Sequence, residues 1–188
     1  KRLPFRLVYL HPLLKGDDGQ KMSKSIGNVI PLEYYLEKFG ADVTRMALIS
    51  YLSSQEDFIF SEETLKQSRG GVQRIREFLA RLEKVEDSQQ HDAVASMLSS
   101  AKSHYDYYLN NDLNTQGAIG VLFSLLKEVY PRLDTKTIGQ ENANNIMDFL
   151  NEVSQALGII PSEYEEVPQE VLNLVNQRQK LRADKKWE

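Results

Sequence analysis

Two lysines three positions apart, Lys21 and Lys24, sit in the run Gly19-Gln20-Lys21-Met22-Ser23-Lys24-Ser25-Ile26-Gly27-Asn28. The ammonium groups bring positive charge. The hydroxyls of Ser23 and Ser25 and the glycine-flanked backbone bring hydrogen-bond donors. Helical periodicity begins shortly afterwards, and a helix start favours anions. The combination suits a triphosphate. A bare pair of lysines at this spacing carries little weight, because surface lysines are mostly just solvated. The order of the residues around the pair is what gives it meaning.

Elements with readable periods must position this run. Phe5, Leu7 and Tyr9 alternate with more polar neighbours, so residues 3–14 read as extended, with a break at Pro12. Lys15 to Gln20 has the composition of a turn or mobile loop. Leu32, Tyr35, Leu36 and Phe39 fall at helical spacing, with Pro31 fitted to a first turn and Gly40 to a C-terminal cap. Asp42 is expected to cap the next short helix, running through Met46 to about Leu52.

From Ser61 onward the pattern is helical. Ser61 with Glu62 and Glu63 makes a helix start, and Leu65, Val72, Ile75, Leu79 and Leu82 mark one face. Gly70-Gly71 is expected to bend that helix or admit a close neighbour. Three more helices carry Val94 to Tyr108, Ile119 to Tyr130, and Ile146 to Leu157, the last stopping at Gly158. Residues 84–92 and 131–141 read as polar connectors. Four amphipathic helices with short loops predict an antiparallel bundle in a mainly α chain, preceded by a short strand and the lysine loop. Residues 161–168 read as a linker, and a further helix starts near Gln169 without a stop signal, which reads as a truncation.

Composition narrows the classes. Of the 188 residues, 41% are hydrophobic and 27% charged, ordinary for a globular protein that buries its own core. There is no cysteine, which excludes disulfides and thiolate metal sites and fits a reducing, cytoplasmic setting. No apolar run is long enough to span a membrane. The net charge of −4 is unevenly spread: residues 1–50 hold eight Lys/Arg against five Asp/Glu. Between Lys66 and Lys84 six basic residues face two acidic ones. Lys66, Arg69, Arg74, Arg76 and Arg81 are therefore candidate contacts to a nucleic-acid phosphate backbone, with a plain solvated helix face as the alternative. The tyrosines at 105, 107 and 108 fit bundle core and rim better than nucleotide stacking. His11, His91 and His104 show no metal spacing.

Lys21-Met22-Ser23-Lys24-Ser25 followed by Gly27-Asn28 resembles the second signature of class I aminoacyl-tRNA synthetases. The following helix and Gly40-Ala41-Asp42 with Arg45 extend the resemblance. It implies the end of a Rossmann-type catalytic domain over residues 1–60, a tRNA-binding helical bundle over 61–160, and a linker with the start of a terminal helix over 161–188. It implies ATP, with magnesium, bound by Lys21, Met22, Ser23, Lys24 and Ser25. Lys24 would stabilise charge growing on the β- and γ-phosphates as pyrophosphate leaves, with Lys21 assisting. Gly27 and Asn28 would support the loop at its return to the helix. This is electrostatic catalysis by preorganised cations, in which one donor is typically worth on the order of 10²-fold in rate. Asp42-Val43-Thr44-Arg45 looks like the Asp-Ala-Leu-Arg signature of a helical anticodon-binding domain, with its two central residues changed. Its outer pair is expected to form a structural salt bridge at i and i+3.

Two further segments resemble the cysteinyl branch of that class. One is Asn111-Asp112-Leu113-Asn114-Thr115-Gln116-Gly117-Ala118-Ile119 with Leu122-Phe123, in which Leu113 and Gln116 depart from the family pattern. The other is the basic run Gln177 to Trp187. Asp112 to Thr115 is equally a good helix start for local reasons. The resemblance implies ligation of cysteine to tRNA by the parent protein, acting as a monomer. The first ATP signature is absent, Leu10-His11-Pro12 being the nearest approach. The zinc site of that branch uses cysteines, so zinc belongs to a catalytic domain outside this chain, and the chain alone is expected to be inactive. The alternatives are another class I synthetase (methionyl, valyl, leucyl or isoleucyl), a cysteine-adenylating ligase acting on an amino sugar, and a non-catalytic tRNA-binding module.

Overall fold

Helix boundaries follow local stop and start chemistry closely. The structure is a computed structural model that describes residues 4–6, 8–10, 13–51, 57–86, 91–160 and 177–178. Strand β1 is Leu14–Lys15 and helix α1 is Leu32–Phe39. Pro31 stands at the N-cap of α1, and Gly40 ends it at φ 82°, a left-handed value that glycine adopts without strain. Helix α2, Ala41–Ile49, starts at that same Gly40. Asp42 is thus in the first turn of α2, not its cap, because Gly40 already ends one helix and opens the next. The C-cap of α2 is Ser50; Leu52, the expected end, lies outside the described residues.

Strand β2, Phe58–Ile59, pairs parallel with β1 in the register Leu14 with Phe58 and Lys15 with Ile59. Of the expected extended segment 3–14, Leu14 stands in β1, and the described residues 8–10 pair with no strand. Alternation alone makes no strand where no neighbouring strand accepts the hydrogen bonds. Lys15 and Asp57 close the pair with an ion pair at 3.1 Å.

Helix α3 spans Glu62–Leu82, and the Ser61 hydroxyl accepts from Thr64 N–H at its start. Gly70-Gly71 does not break it. Gly71 is buried, and a Cβ there would meet the Phe123 ring at 3.1 Å, so the glycine serves close packing against the third bundle helix. Helices α4 (Asp92–Asn110), α5 (Thr115–Asp134) and α6 (Gln140–Leu157) complete the antiparallel bundle. Helix α5 runs through Pro131, so the connector there is shorter than 131–141. Gly158, at φ 63°, stops α6. The expected linker at 161–168 and the helix start near Gln169 lie outside the described residues.

A single core runs from Tyr35 and Phe39 of α1 through Met46 of α2 to Ile159 and Ile160 after α6. Tyr105 lies in it, edge-on to Phe149. Burial pushes its phenol up to about 12, with Asp106 and Glu152 adding to the rise. Tyr107 is exposed, and Tyr108 packs over Gly117. Asn142 is buried where α4 and α6 begin: its carbonyl accepts from His91 N–H at 2.9 Å and from Gly139 N–H at 3.4 Å. Such a buried amide is tolerated because both its ends are used, Nδ2 donating to the His91 carbonyl.

Candidate functional site

The lysine loop leaves β1 and is folded by its own backbone. Gly16 N–H donates to the Gln20 carbonyl at 2.9 Å, and Gly19 N–H to the Gly16 carbonyl at 2.9 Å, with Gly19 at φ 70°. Met22 N–H reaches back to Leu14 at 3.4 Å, and the Met22 side chain packs partly against the core. Ile26 and Gly27 N–H both donate to the Ser23 carbonyl, and Gly27, at φ 78°, turns the chain out toward α1. The Ser23 and Ser25 hydroxyls share a hydrogen bond of 2.7 Å.

Asn28 closes the loop at its base. Its carbonyl accepts from Ser23 N–H at 2.8 Å. Its amide donates to the Asp18 carboxylate at 3.1 Å and to the Lys21 carbonyl at 3.3 Å. Asp18 also accepts from Gln20 N–H at 2.9 Å. Asp18 is a contributor that composition presents only as a turn residue. Its position three before Lys21 and ten before Asn28 gives no signal until the loop is folded.

The side chains of Lys21 and Lys24 are exposed, and neither has an ion-pair or hydrogen-bond partner among the described residues. Both ammoniums are thus free for an anion, while the backbone beneath them is fixed. Met22, Ser23, Gly27 and Asn28 shape the loop. Two unpaired ammoniums and the paired Ser23 and Ser25 hydroxyls on one loop fit a polyphosphate.

The outer residues of Asp42-Val43-Thr44-Arg45 do not pair with each other. Asp42 contacts Arg76 of α3 at 3.5 Å, and Arg45 donates to the Gly158 carbonyl at 2.8 Å. These partners lie on α3 and just past α6, and reaching them rotates the side chains apart. The pair therefore fastens α2 to α3 and to the end of α6. Thr115 of α5 donates to the Ile49 carbonyl, a third fastening of α2.

The basic residues of α3 split between two flanks of the helix. Arg69 and Arg76 lie toward α1 and α2: Arg69 donates to the Lys38 carbonyl at 3.1 Å and lies over the Phe39 ring. With Asp42 and Lys38 they line a polar recess of about 440 Å³. Arg74 and Arg81 lie toward α5, over Phe123 and Tyr130, and Arg81 also pairs with Asp134. Lys66 pairs with Glu63 at 3.7 Å. Of the histidines, His11 lies outside the described residues, and among those described no group of His, Cys, Asp or Glu could hold a metal ion.

Comparison with known proteins places both parts of the chain. Residues 1–61 match the family model of class I tRNA synthetases (I, L, M and V), and residues 104–161 match the DALR domain. A cysteine–tRNA ligase of Chlamydia caviae is 32% identical over 196 residues, covering 98% of this chain and 39% of that protein. The one of Chlamydia muridarum is 30% identical over 198 residues, covering 99% and 41%. The chain thus spans about two-fifths of the length of these curated relatives. A LeuRS of Agrobacterium radiobacter K84, solved in a ternary complex with tRNA and LeuAMS, superposes with a TM-score of 0.61 at 20% identity, over 73% of this chain and 19% of that one, and supports the fold. Residues 1–61 thus carry a class I tRNA synthetase domain and residues 104–161 a DALR domain, and along nearly its whole length the chain is similar to cysteine–tRNA ligases.

Proposed function

We propose that this chain is the C-terminal part of a cysteine–tRNA ligase, in which it supplies the second ATP-binding loop and a tRNA-binding helical bundle. The parent reaction joins cysteine to tRNA, with ATP cleaved to AMP and pyrophosphate. The observation that carries the reading is the pair of unpartnered ammoniums, Lys21 and Lys24, on a loop whose base is fixed by Asn28. Lys24 binds the β- and γ-phosphates as charge moves onto the leaving pyrophosphate, and Lys21 assists. The backbone and the Ser23 and Ser25 hydroxyls hold the cations where that charge develops. Magnesium arrives with the nucleotide.

Zinc does not fit the residues of this chain. The branch's zinc site takes cysteine ligands and this sequence has none, so substrate selection lies with a part of the enzyme outside it. The bundle binds tRNA chiefly through phosphate contacts, with Lys66, with Arg69 and Arg76 on one flank of α3, and with Arg74 and Arg81 on the other as the candidates. The protein works as a monomer in the cytoplasm.

The test is ATP–pyrophosphate exchange by the complete enzyme against a panel of amino acids, beside Lys24→Ala. Exchange that depends on cysteine and falls on the order of 10²-fold in the variant is the expected result. Exchange with methionine, leucine, isoleucine or valine would move the assignment to that branch, from which the family model over residues 1–61 is drawn. No exchange with any amino acid would leave tRNA binding as the function.

A further inference from the structure

We infer that Asp18, acting through Asn28, is a positioning residue that sets where Lys21 and Lys24 stand before the nucleotide arrives. The inference rests on the loop's being the ATP loop proposed above.

The geometry is a clasp across three pieces of chain. Asn28 needs both halves of its amide at once. The carbonyl oxygen takes Ser23 N–H, and the amide nitrogen faces the Asp18 carboxylate and the Lys21 carbonyl. Lys21 and Ser23 thus bracket Met22 from the same anchor, and Lys24 is the next residue along. Asp18 is held in turn by Gln20 N–H, so its carboxylate does not swing freely. Gly16 lies beneath: a Cβ there would come within 3.1 Å of the Asp18 carboxylate, which explains why a buried glycine begins the turn.

The chemistry is directional. A carboxylate at position 28 could accept from Ser23 but could donate to neither Asp18 nor Lys21. It would also set two carboxylates face to face where Asn28 and Asp18 now stand 3.1 Å apart. Exchanging the two residue types restores a donor facing an acceptor. The amide, now at position 18, would donate to the carboxylate at position 28. That carboxylate would still accept from Ser23 N–H, and the amide would keep its oxygen for Gln20 N–H. The bond to the Lys21 carbonyl would be lost, a carboxylate oxygen then facing that carbonyl where the amide now donates at 3.3 Å.

Loop opening is readable without activity, because lysyl endopeptidase cuts after Lys21 and Lys24 only when the loop leaves its folded path. On the full chain, in the absence of ATP, Asn28→Asp and Asp18→Ala should each speed cleavage at those two lysines by about tenfold, the scale of one lost charge-assisted hydrogen bond. Asp18→Asn should do so by much less. The double variant Asp18→Asn/Asn28→Asp should return most of the way to the original rate. Cleavage after Lys127, in the middle of α5, serves as the folding control and should not change. Unchanged cleavage in Asn28→Asp, or a double variant no slower than that single one, overturns the proposal. In the complete enzyme the same series should order kcat for pyrophosphate exchange inversely to the cleavage rates. If Lys24→Ala leaves exchange intact while the cleavage series holds, the ATP reading fails and the clasp survives as a purely structural device.

Discussion

Gly117 and Gly120 lie three residues apart on α5, and replacing each with alanine should move stability in opposite directions. Neither has a left-handed φ, so alanine fits the backbone at both. At Gly120 an added Cβ meets nothing within 4 Å. There the change removes the entropic cost of glycine in a helix and should stabilise by roughly 0.5–1 kcal/mol. At Gly117 the same Cβ would lie 2.3 Å from Tyr108 Cδ1 and 2.7 Å from Cγ. Those atoms are the root of the ring, so no small swing clears them, and the ring or the α4–α5 turn must shift. Overpacking of that kind costs about 1–3 kcal/mol, and the helix gain offsets about 1 of it. The two variants should therefore differ by roughly 1–3 kcal/mol, or about 2–12 °C in Tm for a chain of this size. Urea and thermal unfolding of the full chain would measure both. Adding Tyr108→Ala to Gly117→Ala should return the helix gain at 117, leaving only the cost of the lost ring. If both glycine variants stabilise to the same extent, the close approach of Tyr108 to α5 is wrong.

Other expectations follow from the tethers. Asp42→Asn and Arg45→Ala should each lower stability by up to about 1 kcal/mol, and their effects should add, because their partners are Arg76 and Gly158. If the double variant in urea unfolding costs no more than either single one, the two residues pair with each other after all. Glu62 is held below the ordinary carboxylate range, first by its hydrogen bond from Lys38 and then by Tyr34, while the same contact with Glu62 raises Lys38. A lowered carboxylate contributes stability that is present above its unfolded pKa and lost as pH falls through the folded one. Acid unfolding followed by circular dichroism should therefore show the α1–α3 tether weakening below about pH 4. Glu62→Gln should flatten that limb, and an unchanged profile would show that the tether adds nothing.

Much of this protein was legible in its residues alone. Local chemistry placed the helices: Ser61 as a cap, Gly40 and Gly158 as left-handed stops, and apolar faces at helical spacing need no distant partner to be read. The loop was legible because a run of consecutive residue types constrains chemistry more than any average does. The strand was not legible at its true length, since β1 exists only where β2 runs beside it. Spacing likewise put Asp42 and Arg45 within reach of each other, whereas packing offered Arg76 and a helix-ending carbonyl instead. The same holds for the basic residues of α3: composition made them one patch, and the helix divides them between α1–α2 and α5. Asp18 is the sharpest case. Residue types alone pointed to a phosphate for this loop, because types carry charge and donors. Only the folded loop decided that a turn aspartate meets Asn28, because that contact depends on where two glycines at positive φ send the chain.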